Sequence, residues 1–301
     1  LSKKTMNGNI MKTHQTGIVE NNTSSALFML FDIANENNLA TSLAALKTLV
    51  NGKDTVAGFG NKLMQYFAGV SEYHQHKFNS PLMSNDDGCD LAIWIKHEDK
   101  GEIFHKSQAL KNALADSFTL QKTVSAYSYR QKFDLSGFED GIENPKGNEI
   151  LPVAIVADGE LAGSSFWVLQ QWLHDFTWLN AHSKAEKETC IGRSLDEDSH
   201  QLDNLAEFAH IKKAAKENFT PEAELLRKSM PWSDDNLNGG FMFSAFANTF
   251  RSFNLQMASM LGIDDGIVDG VFKFSKIMNT NYLWCPPIKN GTLDISLFDK
   301  K

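Results

Sequence analysis

The same order of hydrophobic patterns occurs twice along this chain of 301 residues, and that duplication narrows the fold more than any other feature. In the first half, alternating or continuous apolar runs at Ala26–Ile33, Thr55–Phe59, Asp90–His97 and Leu120–Arg130 read as strands. Helical spacing lies between them at Ala40–Val50 and about Ile103–Ala115, with Leu110, Ala113 and Leu114 recurring. The order is β-α-β-β-α-β. After the loop Leu135–Asn148 it returns: a strand at Ser164–Leu173, a helix at Ala185–Ile191, strands at Leu225–Met230 and Gly240–Ala247, a helix at Phe250–Leu261 and a strand at Tyr282–Cys285. Each unit is ferredoxin-like. The expected class is therefore α+β, two antiparallel sheets each covered by helices on one face and packed together on the other.

This reading divides the chain into a polar lead at 1–15 (a disordered start or an expression remnant), an N-terminal half at 16–134 and a loop at 135–150. A C-terminal half follows at 151–287, then a tail at 288–301. The second half carries extra material, Asp196–Pro221, which is acidic, then helical, then ends in a proline. Insertions of that size in a compact domain are often functional. Chemistry is expected there and in the central loop, because both depart from the repeat.

Several partner classes are excluded early. The net charge is −8 and no Lys/Arg block interleaves with aromatics, so nucleic acid is not an expected partner. Apolar runs such as Ala26–Ile33 and Ala154–Val156 are too short to span a bilayer, and the N-terminus has no secretory pattern. A cytoplasmic protein without a membrane partner is the expectation. Cys89, Cys190 and Cys285 are far apart, with neither zinc nor redox spacing and no Cys-x-x-Cys-His, so they read as buried reduced thiols.

The central loop reads Gly137-Phe138-Glu139-Asp140-Gly141-Ile142-Glu143-Asn144-Pro145. Glycines around Asp140 allow positive-φ turns and a close approach to a ligand, although acidic residues in such a loop also suit a solvated turn. Gly137-x-x-Asp140-Gly141 with Glu143-Asn144-Pro145 resembles a motif of the dye-decolourising peroxidases. Five further stretches resemble the same family in the same order: Gly58-Phe59-Gly60, Gly163–Trp167 through Trp172–Asp175, Ile191-Gly192-Arg193, Ala209-His210-Ile211 and Leu226–Pro231. The resemblance runs from about Thr16 to Pro287 and points to the family's smaller bacterial group.

It implies duplicated ferredoxin-like halves of the dimeric α+β barrel type. It also implies a non-covalent haem b, with His210 as the iron ligand and an open opposite face for hydrogen peroxide. Asp140 is implied as the carboxylate that takes and returns the peroxide proton. Arg227 is implied as the cation that binds peroxide and stabilises the leaving oxygen. Ser229, two residues on, would share a strand face with Arg227. By family position Arg193 would meet the haem propionates, Ile142 and Glu143 would line the haem edge or the peroxide entry, and Asp269 would accept the second N–H of His210. Among the other histidines, His74 and His76 flank Gln75 in a polar loop, His174 sits at a strand end as a structural residue, and His200 follows the acidic run.

The implied activity is reduction of hydrogen peroxide through an oxyferryl intermediate, with small organic electron donors returning the enzyme, and a homo-oligomer is expected. Two other classes share parts of the pattern. A haem-binding or haem-handling protein would need the same fold and His210 but neither Asp140 nor Arg227; a cofactor-free ferredoxin-like assembly protein would leave the central loop unexplained. The tail Lys289–Phe298, polar and then alternately apolar, suits an extended peptide and loosely resembles cargo tags that load some of these peroxidases into encapsulin shells. Docking on its own subunit or across an oligomer interface is the alternative.

Overall fold

A computed structural model describes residues 13–298. Its principal strands are β1 (Ser25–Ile33), β2 (Thr55–Phe59), β3 (Leu91–His97), β4 (Phe118–Tyr127), β5 (Ser165–His174), β6 (Leu226–Arg227), β7 (Met230–Ser233), β8 (Gly239–Ala247) and β9 (Ser275–Cys285). The helices are α1 (Leu39–Leu49), α2 (Asn61–Met64), α3 (Lys100–Leu114), α4 (Ile150–Ala154), α5 (Phe176–Ala181), α6 (Lys184–Ile191), α7 (His210–Lys213) and α8 (Arg251–Met260). In the first half the strands lie side by side as β2-β3-β1-β4, and in the second as β7-β8-β5-β9, the same permutation. The duplication expected from the sequence is therefore present in the topology.

The two sheets do more than face each other. β2 meets β9 at Phe59 and Trp284, and β4 meets β7 at Ala126 and Trp232, which closes eight strands into one antiparallel barrel. Each seam is a single residue pair. A backbone hydrogen bond adds only about 0.5–1.5 kcal/mol net, so the seams do not hold the barrel shut. Its contents do. Phe28, Trp94, Trp167 and Phe246 come from both halves and are buried at 0% exposure. Phe28 stacks on Trp94 with centroids 5.8 Å apart, Trp94 on Phe246 at 6.2 Å and Phe246 on Trp167 at 5.4 Å. Full burial of such a side chain stabilises by roughly 1.5–3 kcal/mol, and each offset pair adds about 0.5–1.5 kcal/mol. An eight-stranded barrel is just wide enough for side chains to fill, and these rings fill it.

The alternate residues of each strand face outwards. Met29 and Phe31 of β1, with Ile93 and Ile95 of β3, pack under α1 and α3, and Phe166, Val168 and Tyr282 pack with Phe250 and Phe253 at α8. Asp99 starts α3 by accepting the Gly101 N–H, and Ser183 with Glu186 forms a complete capping box on α6. The three cysteines are free and buried. No described helix is long and apolar enough to cross a membrane.

Four elements differ from the sequence expectation. β9 starts at Ser275 rather than Tyr282, because its early residues are polar yet paired: Thr280 accepts from Gln170, and Asn281 bonds Leu169 and Cys89. The strand expected over Leu225–Met230 is broken into β6 and β7. At the break Lys228 N–H donates to Ser244 O while Ser244 N–H donates to Ser229 Oγ, a side chain taking a ladder position. The helical part of Asp196–Pro221 is one turn, α7, and a 3-10 turn, within irregular chain. Finally, the fold takes in residues 13–15. Thr13 pairs with Ile288, and buried Gln15 bonds both backbone groups of Ala57 and the carbonyl of Pro286. The rest of the expected lead, residues 1–12, lies outside the described residues.

The tail folds back on its own chain. Two short strands, β10 (Ile288–Lys289) and β11 (Thr292–Leu293), form a hairpin. Leu293 is fully buried, Leu297 O accepts the Ala68 N–H, and Phe298 packs against Tyr66 and Phe67. This is the docking alternative to the cargo-peptide reading, and a segment engaged this way is not presented as a free extended peptide.

The barrel interior predicts its own weak point. Gly58 lies where an added methyl would meet the Trp167 ring at 2.8 Å and Leu283 Cβ at 2.9 Å. Gly58→Ala is expected to cost about 1–3 kcal/mol by overpacking. Urea denaturation followed by tryptophan fluorescence measures it; an unchanged midpoint would mean that the rings can yield.

Candidate active site

A cavity of about 550 Å³ lies outside the barrel, on the second half. Its floor is the outward face of β5 and β8 (Gln170, Trp172, Phe241, Phe243), and α8 contributes Phe253, Met257 and Met260. The central loop closes one side and the Asp196–Pro221 insertion another, through Leu205, His210, Ile211 and the segment after it. Both departures from the repeat therefore meet at one place.

The loop is shaped by backbone bonds. Asp134 N–H donates to Phe138 O, Gly137 N–H to Asp134 O, and Asp140 N–H to Lys132 O. Gly137 and Gly141 sit at φ +96° and +76°, where a side chain is strained. At Gly141 a Cβ would also come within 2.9 Å of the Asn144 amide. That amide matters because Asn144 clamps β6: its Nδ2 donates to Arg227 O at 2.8 Å and its Oδ1 accepts the Arg227 N–H at 2.9 Å. The side chain serves as a strand partner and fixes the loop against Arg227.

The clamp leaves Asp140 Oδ1 3.6 Å from Arg227 Nε, in the cavity wall. Arg227 Nε is buried and has no hydrogen-bond partner. Burial pushes the Asp140 carboxyl up, and the nearby Asp134 charge adds to this; Arg227 and His210 oppose the shift without cancelling it. Asp140 is thus a carboxyl held above its ordinary range beside a cation with a free donor.

His210 opens α7. Its Nδ1 lies 2.8 Å from Asp269 Oδ2, and Asp269 is fully buried, its other oxygen accepting the Val271 N–H. A carboxylate only accepts, so Nδ1 carries the hydrogen and the neutral ring presents its lone pair at Nε2. Burial disfavours the charged ring, but the Asp269 charge and hydrogen bond outweigh it and raise the His210 pKa. Among the described residues Nε2 has no hydrogen-bond partner, and His210 lines the cavity.

At the rim, α6 ends at Gly192 in the left-handed region, φ +92°, where a Cβ would strike Ile211 at 2.7 Å. The turn delivers Arg193, whose Nη2 pairs with Glu143 at 2.6 Å and whose Nη1 donates to Ser199 O. Ile142 and Glu143 line the cavity beside it. The residues singled out in the sequence thus converge, with one exception. Ser229 does not line the cavity: pairing with β8 keeps one register from Arg227↔Ala245 to Met230↔Met242, but its hydroxyl accepts the Ser244 N–H instead. His200 is paired with Asp198 away from the cavity, and His74 and His76 are exposed.

Two features were not read from the sequence. Asn144 stood inside the loop motif, but nothing local indicates that its amide reaches β6. His174, read as structural, lines the cavity and joins buried Asp134 to Ser275: Nε2 lies 2.9 Å from Asp134 and Nδ1 2.8 Å from Ser275 Oγ. Burial pushes the Asp134 carboxyl up, but His174 and the hydrogen bonds from Ser136 and Leu135 outweigh it and hold it low.

Comparison with known proteins places this arrangement. The family model "Dyp-type peroxidase, C-terminal" matches residues 131–290, more than half of the chain. The chain belongs to the Dyp-type peroxidase family. A dye-decolorizing peroxidase of Mycolicibacterium paratuberculosis is 27% identical over 223 residues, 72% of this chain; the match spans 62% of that relative's length. A dye-decolorizing protein from V. cholerae superposes with a TM-score of 0.78 at 24% identity, covering 92% of this chain and 97% of its own. A Rhodococcus jostii DypB variant in complex with heme gives 0.76 at 23%, covering 88% and 93%. These superpositions match the family fold to the α+β barrel described above.

The buried pair gives a pH-dependent expectation. Asp134 titrates lower folded than unfolded, so its contribution is complete above about pH 4 and is lost as pH falls through the folded value. Asp134→Ala, which leaves the His174 Nε2–H without its acceptor, is expected to cost about 1–3 kcal/mol at neutral pH. The gap to wild type should narrow in more acidic solution. Chemical denaturation at stepped pH checks both; a gap independent of pH would mean that Asp134 contributes packing alone.

Proposed function

We propose that the protein is a haem b peroxidase that reduces hydrogen peroxide and oxidises small organic donors of the dye or phenol type. One observation carries the reading: the Asp269-held His210 opens into the same cavity as the Asp140–Arg227 pair. The cavity suits the cofactor. It has aromatic and methionine walls, an imidazole with a free Nε2, and an orphaned buried donor on Arg227. Its volume falls in the range of roughly 300–1,000 Å³ usual for small-molecule sites.

In this reading His210 Nε2 holds the iron, and Asp269 fixes the ring and makes it a stronger donor. Arg193, Ile142 and Glu143 would line the haem edge, with Arg193 the cation that would meet a propionate. Bound haem supplies the iron at which the O–O bond is cleaved and electrons are taken in. The protein manages protons and charge. Asp140 accepts the proton of one peroxide oxygen on its carboxylate and returns it to the other, which leaves as water. Arg227 binds peroxide through its fork of donors and offsets the negative charge developing on the leaving oxygen. Two electrons from donors and two protons complete the balance to two waters. A haem carrier would need His210 and Asp269 but not the Asp140–Arg227 pair, which favours the enzyme.

The assignments separate experimentally. His210→Ala should fail to give the Soret band of the haem-reconstituted protein; a wild-type spectrum in this variant would reassign the ligand. Arg227→Leu should slow peroxide cleavage by about two powers of ten or more, read by stopped-flow absorbance. Because Asp140 is held above the 3.8 of an ordinary aspartate, the acid limb of the cleavage rate should titrate above that value and disappear in Asp140→Asn. A limb that persists in Asp140→Asn would assign the proton transfer elsewhere.

A further inference from the structure

Beside the cavity the molecule contains a second recess of about 500 Å³, on the other side of the wall made by the ends of β5 and β9. Asp175 and Thr177 on its rim are exposed, and Leu237 is 89% exposed, so it faces solvent. Three residues border both spaces: His174, Phe274 and Ser275. His174 and Ser275 are paired across β5 and β9, and both are buried, as is Asp134. The hydrogen-bonded order is Ser275 Oγ, 2.8 Å to His174 Nδ1, then His174 Nε2, 2.9 Å to Asp134, which lines the cavity with Asp140 and does not border the recess.

We propose that Ser275–His174–Asp134 is a proton relay from the outer recess to the peroxide cavity, a positioning and supply device that resupplies Asp140. It rests on the peroxidase reading above. Asp140 can return only the proton that it took from peroxide, whereas completing two waters consumes two more protons. A donor that gives only electrons brings no proton to the cavity, and the wall offers protons a route separate from the rim where Arg193 and Glu143 stand.

The chain of groups has the valences for this. A carboxylate accepts, so Nε2 of the neutral ring carries the hydrogen toward Asp134 and Nδ1 accepts from Ser275. Ser275 gives its hydroxyl proton to Nδ1 as it takes another from water in the outer recess, while the Nε2 proton passes to Asp134. Asp134 releases it into the cavity, and a rotation of the ring, which exchanges its two nitrogens, resets the pair. No bond other than O–H and N–H forms or breaks. Asp175, Lys273 and Lys276 are the charged groups at the outer recess, and Asp140, Arg227 and His210 face the inner side.

A merely structural tie between the loop and the two strands would need the same hydrogen bonds but no titrating group. Glutamine supplies those bonds, its amide donating to Asp134 and its carbonyl accepting from Ser275, and cannot relay. The test therefore uses haem-loaded His174→Gln with two donors: ferrocyanide, which gives an electron without a proton, and hydroquinone, which gives both. With ferrocyanide the return to the resting enzyme should slow tenfold or more. With hydroquinone the change should stay under twofold, with a Soret band like wild type. Ser275→Ala, which leaves the buried pair intact, should show the same selectivity if His174→Gln does not fold.

Equal rates with ferrocyanide, or equal slowing with both donors, overturns the relay. A second readout needs no turnover. In ¹⁵N-histidine-labelled protein without haem, the His174 ring hydrogens should exchange with solvent while the β5 amides remain protected. Ring hydrogens protected as long as those amides overturn it as well. If wild type does not cleave peroxide at all, the peroxidase reading fails, and the exchange measurement still decides whether the wall conducts protons.

Discussion

Everything else in this molecule is set by the aromatic packing inside the barrel. Two four-stranded sheets joined by one residue pair at each seam would drift apart without Phe28, Trp94, Trp167 and Phe246 shared between them. A strand shows its two faces alternately, so fixing the inward set fixes the outward set too. Trp167 inside the barrel places Gln170 and Trp172 in the cavity floor, and Phe246 inside places Phe241 and Phe243 there. A closely packed interior is what allows a cavity on its outer side to hold a shape.

The halves share a topology but not a use. In the first, α1 and α3 lie directly on the sheet and the outward face is filled by apolar side chains. In the second, α8 covers part of the corresponding face, and irregular chain from 196–221 stands off the rest. That chain brings α7 and His210 to the open side, while Asp269, docked through its backbone on Met260 at the end of α8, supports the ring. The central loop, tied to β6 by Asn144, completes the enclosure.

The fold was legible because its signal is periodic. Six strands and four long helices announced themselves by apolar spacing, and the order gave the duplication. What escaped was polar pairing inside strands: the first residues of β9 do not look like a strand because their partners, Gln170 and Cys89, lie far away in sequence. Ser229 is the same lesson in reverse. Alternation keeps its register across the break, and nothing in Lys228-Ser229 announces that the hydroxyl is taken by the Ser244 N–H. The convergence of Asp140, Arg227, His210 and Arg193 came from motif order rather than local physics. Asp269 was placed by motif position, and its contact with His210 spans 59 residues of sequence. The Asn144 clamp and the Asp134–His174–Ser275 chain had no such guide, since each residue reads locally as a turn, a core histidine or a strand end.

The rim of the cavity has its own consequence. Each cation there already holds a carboxylate: Arg193 with Glu143, Lys212 with Glu207, and Lys216 with Glu222 and Glu224. Three cations face four carboxylates, so an approaching anion meets no excess of positive charge and long-range attraction gives it no help. Entry becomes an exchange of partners rather than a capture. On the peroxidase reading, the Arg193–Glu143 bridge would work as a latch, opening for a ligand able to take over Arg193 and leaving a less well matched anion facing Glu143.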